Sequence, residues 1–212
     1  VSSEHLIARL ADPNVLIRRL SQRLLTERLE PSVPPVLEKM VMDSSVSRKG
    51  RLHALWTMIS MRNIDHGFLL GLTQHSDPTF RAWAVRAAGD IGTVTESLRR
   101  RIESMARDTS PEVRTQVAVA SRKIQGIDAM PILIQVLNHS GKDRVLHKIA
   151  WQNLHPLLAN EAARFLELVT NLKSKQAAWL SDILPRAAER ILAEGKAAPE
   201  TMAQLVMLTL QD

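Results

Sequence analysis

A chain of 212 residues with no cysteine, 3 % aromatic residues and a formal charge of +6 can hold one domain or one short repeat array. Disulfides, thiolate catalysis and cysteine-based zinc sites are excluded, and the apolar runs are too short and too broken by charge to predict membrane insertion. The basic balance raises the expectation of an anionic partner: nucleic acid, a lipid surface or an acidic protein.

The predicted elements recur along the chain. A first signature helix is predicted over 14–29, opening Asn14-Val15-Leu16-Ile17-Arg18. A linking helix follows over 33–42, then a second signature helix over 47–62 and a link over 66–75. The third signature helix, 78–90, is preceded by Asp77; a link over 95–107 leads to the fourth, 111–125. A link over 129–138 leads to the fifth, 143–159. Each signature begins at a capping residue type: Asn14, Ser47, Asp77, Ser110 or Asp143. Its eighth position is small or compact: Ser21, Ala54, Ala84, Val117 and Ala150, spaced 33, 30, 33 and 33 residues apart. Breakers such as Pro13, Pro34, Pro78, Gly92, Pro111, Gly126 and Pro131 fall at the joints. Helix pairs of this length cannot bury their apolar faces alone, so neighbours must stack. The remaining chain predicts helices over 160–173, 176–194 and 199–211 without the signature. The expectation is an all-α fold, a right-handed α-solenoid of antiparallel helix pairs over 1–212. About five repeats would fill 1–159 and an atypical helical cap 160–212.

The run Asp77-Pro78-Thr79-Phe80-Arg81-Ala82-Trp83-Ala84-Val85-Arg86 resembles the HEAT repeat. A narrower likeness lies in Arg51-Leu52-His53-Ala54-Leu55-Trp56-Thr57 with Ile64-Asp65, which is similar to the HEAT region of large planctomycete-type membrane-bound dehydrogenase proteins. In that family a sugar-dehydrogenase-like propeller precedes the HEAT region and a c-type haem segment follows it. The resemblance implies a helical module, without a cofactor of its own, inside a larger extracytoplasmic protein whose chemistry lies elsewhere. The opening Val1-Ser2-Ser3-Glu4 likewise reads as an excised or processed piece.

A helical wheel divides the basic residues. Arg18, Arg51, Arg81, Arg114 and His147 fall at the edge of the buried stripe. They are expected to form a structural ladder through the inter-repeat turns, with Asp12, Asp43, Asp77 and Asp108 as candidate partners. Arg19, Arg23, Trp56, Arg86, Lys123 and Lys148 fall on the opposite face and are the candidate binding residues. The five signature helices hold 15 Lys and Arg against 4 Asp and Glu, a balance of +11; the rest of the chain holds 13 against 18, or −5. The excess positive charge therefore sits on one layer of helices.

Catalytic patterns are missing: there is no Gly-rich phosphate loop, no His-Glu-x-x-His and no Gly-x-Ser-x-Gly. The function predicted is a non-catalytic interaction or scaffolding module that binds an acidic protein, or a neighbouring acidic domain, through its basic layer. The alternative partner is nucleic acid. Its sharpest form is a HEAT-like alkylpurine DNA glycosylase, in which Trp residues (56, 83, 151 and 179 are present) would act beside Asp90 or Asp143.

Overall fold

The computed structural model describes residues 1–62, 64–172, 178–195 and 198–210, and every regular element among them is helical. The chain forms two compact units, 1–71 and 72–212. The predicted helix ends at 173, 176 and 211 lie outside the described residues.

The first unit contains α1 (Ser3–Arg9), α2 (Val15–Arg28), α3 (Val33–Met42), α4 (Arg48–Met61) and all but the last residue of α5 (His66–Leu72). The helices start where a side chain takes over an orphan N–H of the first turn. Asn14 accepts from the Leu16 N–H at 2.9 Å, and Ser47 from the Gly50 N–H at 3.2 Å. Signature helices α2 and α4 pack on each other, with α1 against α2 and α3 against α4. Their shared core holds Leu10, Leu25, Leu37, Val41, Ala54, Leu55 and Met58. Gly50 stands where other repeats carry a larger apolar residue because a Cβ there would lie 2.8 Å from Ala11 Cβ. The missing side chain lets α4 close on the end of the first helix pair.

In the second unit, α6 (Pro78–Ile91) begins behind Asp77, whose carboxylate accepts from the Thr79 N–H at 2.9 Å. Helix α7 (Glu96–Ser104) runs into a 3-10 turn, Met105–Arg107, and α8 (Pro111–Ala120) and α9 (Ala129–Asn138) follow. Helix α8 ends five residues before the predicted 125. The last segment then turns, and the Gln125 N–H donates to Gly92 O at 2.8 Å. The close approach of α6 and α8 needs Gly89: a Cβ added there would stand 3.1 Å from Ala120 Cβ.

The predicted helices over 143–159 and from 160 onward join as one element, α10 (Arg144–Thr170), with a break at Glu161, whose backbone leaves the helical region at φ −125 and ψ 31. Pro156 removes the N–H that would have reached Gln152 O. The His155 ring Nδ1 lies 3.2 Å from that carbonyl instead. Helices α11 (Ala178–Glu194) and α12 (Pro199–Leu210) close the unit, with Trp179, Ile183, Ala187 and Leu205 buried.

The buried stripe follows the sequence period. Ser21, Ala54, Ala84, Val117 and Ala150 are buried, as are Leu25, Met58, Ala88 and Leu154. Of the position four before, Gly50, Phe80, Val113 and Leu146 are buried and Ile17 is half-buried. Several polar ties join residues about one repeat apart. Examples are His53 with Gln22, Arg101 with Thr73, Arg81 with Asp108 and Lys123 with Asp90. Nearest-neighbour bonding of this kind is how stacked repeats hold together. The chain has the all-α architecture of an α-solenoid.

Candidate binding surface

The ladder residues reach backbone as much as carboxylate. Arg18 is buried and its NH1 donates to the carbonyls of Asp12 and Pro13 at 2.7 and 2.9 Å. Arg51 donates from Nε to Val41 O at 2.6 Å. Arg114, also buried, donates to Asp108 O. Arg81 does both: NH1 donates to His75 O and Ser76 O at 2.9 and 3.0 Å, while Nε and NH2 grip the Asp108 carboxylate at 2.9 and 2.8 Å. The aspartates have a prior task. Asp12, Asp43 and Asp108 each accept the N–H two residues on, from Asn14, Ser45 and Ser110, at 2.8, 2.9 and 2.9 Å. This local bond makes the turn. The guanidinium then satisfies turn carbonyls that helix burial would otherwise leave without water.

Burial alone would raise the Asp108 carboxyl. The Arg81 hydrogen bonds, the Ser110 N–H and the charges of Arg81 and Arg101 outweigh it and hold the group below the usual carboxylate value. The Arg81 guanidinium is raised in turn, chiefly by the same hydrogen bonds.

His147 replaces arginine at the fifth rung. Its Nε2 lies 2.7 Å from Ser140 Oγ and its Nδ1 3.3 Å from Asp182 Oδ2, so α10 is tied to the preceding turn and to α11. The order Ser, His, Asp matches a hydrolase triad, but the geometry does not present a nucleophile. Ser140 is 5 % exposed and its hydroxyl donates to Leu137 O at 2.5 Å.

The candidate binding residues divide between the units. In the first, Arg19 and Arg23 are exposed on α2 and Trp56 is half-buried on α4, its ring edge-on to His53 with centroids 5.0 Å apart. Arg23 is paired by Glu27, Nε to Oε1 at 2.6 Å. In the second, Arg86 on α6, Lys123 after α8 and Lys148 on α10 are exposed. Arg86 and Lys123 converge on one carboxylate: Asp90 Oδ2 lies 4.0 Å from Arg86 Nε, and Oδ1 lies 2.8 Å from Lys123 Nζ. The Arg86 guanidinium also lies 4.9 Å from the centroid of the Trp83 ring, a cation–π contact. The structure thus groups Trp83, Arg86, Asp90 and Lys123. The sequence reading put Arg86 and Lys123 on the surface but missed the part of Trp83 and Asp90. The signal was available, since Trp83, Arg86 and Asp90 stand at i, i+3 and i+7 on one helix face.

These contacts bear on the nucleic-acid alternative. Arg23, Arg86 and Lys123 each face an acidic residue of their own chain, which any anionic partner, phosphate or carboxylate, would have to displace. Trp56, the one aromatic residue among the predicted contacts, is half-buried rather than presented as a stacking platform. Among the described residues, no group of three or more His, Asp or Glu side chains is placed to hold a metal ion, and no helix is long and apolar enough to cross a membrane.

No curated protein matches the chain. Residues 66–153, from the start of α5 into α10, match the family model described as HEAT repeats, so the helix pairs of this stretch are similar to HEAT repeats.

Proposed function

We propose that the protein is a non-catalytic interaction or scaffolding module that binds an acidic protein surface through its signature helices. HEAT repeats generally mediate protein–protein interaction or scaffolding and are typically non-catalytic. The observation that carries the finer reading is charge segregation, +11 on the signature helices against −5 on the rest. Arg19, Arg23, Arg86, Lys123 and Lys148 are exposed, as a docking layer requires. Complementary charge on the partner would set encounter rate and choice of partner more than raw affinity. The likeness of residues 51–57 and 64–65 to the planctomycete-type HEAT region supports a setting inside a larger extracytoplasmic protein.

The test is titration of a fluorescein-labelled poly-glutamate peptide against the protein and two charge-reversal variants, Arg19→Glu/Arg23→Glu and Arg86→Glu/Lys123→Glu. The reading expects salt-sensitive binding weakened about tenfold or more by at least one pair. Equal binding by all three proteins would refute it.

A further inference from the structure

Four of the five rungs at the edge of the buried stripe are arginine, which keeps its charge at any pH a folded protein meets. The fifth, His147, carries the side chain type whose charge changes near neutrality. It is buried, and both ring nitrogens have partners within the second unit. Nε2 lies 2.7 Å from Ser140 Oγ in the turn before α10, and Nδ1 lies 3.3 Å from Asp182 Oδ2 on α11.

The hydrogens along this chain of contacts can be placed. Ser140 Oγ lies 2.5 Å from Leu137 O, and two oxygens that close must share a proton, so the hydroxyl hydrogen is committed to the carbonyl. Ser140 Oγ then accepts from the ring, which puts a hydrogen on His147 Nε2. A neutral imidazole has one N–H, so its Nδ1 would turn a lone pair toward the Asp182 carboxylate. The imidazolium alone donates in both directions.

A second contact lies one turn further along the same two helices. Asp182 stands 35 residues after His147. Arg186, at the same interval from Trp151, places its guanidinium 4.6 Å from the centroid of that ring. Both contacts advance by four residues on α10 and α11 together, so the two helices run in parallel here. The Trp151–Arg186 contact keeps its cation through neutrality, whereas the His147–Asp182 contact does not. The neighbouring charged groups are engaged elsewhere or exposed. Arg114 of α8 donates to Asp108 O, His139 after α9 has its Nδ1 at Gln135 O, and Asp143 accepts from the Val145 and Leu146 N–H groups. Arg144 and Lys148 on α10, Glu189 on α11 and Glu200 on α12 are exposed, and Arg190 on α11 pairs with Glu194. His155 is the other titratable group on this seam, its ring centroid 5.6 Å from that of Trp151.

We propose that His147 is a proton-controlled clamp between α10 and α11. Protonated, it donates to Ser140 and Asp182 at once and fastens α11 to the turn that starts α10. On deprotonation the Asp182 bond is lost and a lone pair faces the carboxylate, so this part of the seam loosens while Arg186 stays on Trp151. The proton leaves to solvent past Asp182, whose side chain is 63 % exposed.

The test uses the full chain at about pH 5.5 and 7.5, on either side of the ordinary histidine value. Hydrogen exchange of the α11 amides around Ile183, corrected for intrinsic rates, reads the seam, and long-range ¹H–¹⁵N spectra read the imidazole rings. His147 should carry both ring hydrogens in its charged form and keep the one on Nε2 when neutral. Protection of the α11 amides should fall about twofold to fivefold at the higher pH, the range of an ion pair with one exposed partner. Asp182→Asn, at an exposed side chain, and His147→Arg, which makes the rung permanently charged, should each abolish that fall, whereas His155→Gln should keep it. Circular dichroism checks that the variants fold, and Asp182→Asn decides alone if His147→Arg does not. Equal protection at both pH values, an undiminished fall in Asp182→Asn, or a neutral His147 ring with its hydrogen on Nδ1 would overturn the clamp. So would a fall that disappears in His155→Gln, which would move the pH sensitivity to the Trp151 contact.

Discussion

Arg81 and Asp108 meet through two parallel hydrogen bonds, Nε to Oδ2 at 2.9 Å and NH2 to Oδ1 at 2.8 Å, joining the start of α6 to the turn before α8. Arg114 of α8 donates to the carbonyl of the same Asp108, so one turn residue receives rungs from two consecutive repeats.

Arg81→Ala removes both bonds and leaves a part-buried carboxylate short of its partner, at a cost of about 1–3 kcal/mol. Arg86→Ala, on the exposed side of the same helix, should cost about 0.5–1 kcal/mol, mostly its contact with Trp83. Denaturant midpoints of the two variants check this; equal midpoints would contradict the ladder role of Arg81. The pH dependence has a definite sign. Asp108 is held below its ordinary value in the fold, so its contribution is present above about pH 4 and is lost as pH falls through the folded value. The gap between wild type and Arg81→Ala should therefore shrink in acid.

The helix pairs and buried stripe were legible because a repeat prints the same apolar spacing several times over, and Ser21, Ala54, Ala84, Val117 and Ala150 are buried as that spacing requires. The basic residues at the stripe's edge were legible for the same reason. Their partners were not. An aspartate before a helix is read equally well as an ion-pair acceptor or a turn former, and Asp12, Asp43 and Asp108 all bond the N–H two residues on. Asp90 was harder still: its role depends on Lys123 arriving from the next repeat, a register that helix spacing within α6 cannot set.

Gly50 tests the packing account. An alanine there should gain about 1 kcal/mol of helix propensity. Its Cβ, however, would lie 2.8 Å from Ala11 Cβ and 3.0 Å from Ala11 Cα, neither of which can swing aside. Overpacking of this kind costs about 1–3 kcal/mol, so Gly50→Ala is expected to be no better than neutral and to broaden or lower the thermal transition. Ala11→Gly in the Gly50→Ala background should recover part of the loss, with a coupling of at least about 0.5 kcal/mol in the double-mutant cycle. Strict additivity of the two changes would show that they do not touch.

His53 supplies a second pH signature. Burial pushes its imidazole below the ordinary histidine value, and the charges of Arg18 and Arg19 push the same way. The unfolded chain therefore takes up a proton at this residue before the folded one does. Its contribution is retained above about pH 6.5 and is lost as pH falls toward the folded value, with a slope of at most about 1.4 kcal/mol per pH unit. His53→Gln should flatten the stability profile between about pH 6.5 and 5 relative to wild type. Parallel profiles for the two proteins would rule this out.

Asp90 acts as an internal competitor for any acidic ligand of the second unit. Asp90→Asn removes its charge from between Arg86 and Lys123, so a poly-glutamate peptide should bind the variant more tightly, by about threefold to tenfold at low salt. An unchanged affinity would place peptide binding away from Arg86 and Lys123.

The most direct test of the protein-docking account is a fluorescence-anisotropy titration with single-stranded and duplex DNA at two salt concentrations, with Arg23→Glu/Arg86→Glu as control. Because Trp56, the one aromatic residue among the predicted contacts, is half-buried and offers no stacking platform, DNA affinity at physiological salt should stay near the non-specific range of about 10⁻⁴–10⁻⁶ M. Submicromolar binding that falls steeply with salt and disappears in the double variant would contradict the account and make the basic layer a nucleic-acid surface.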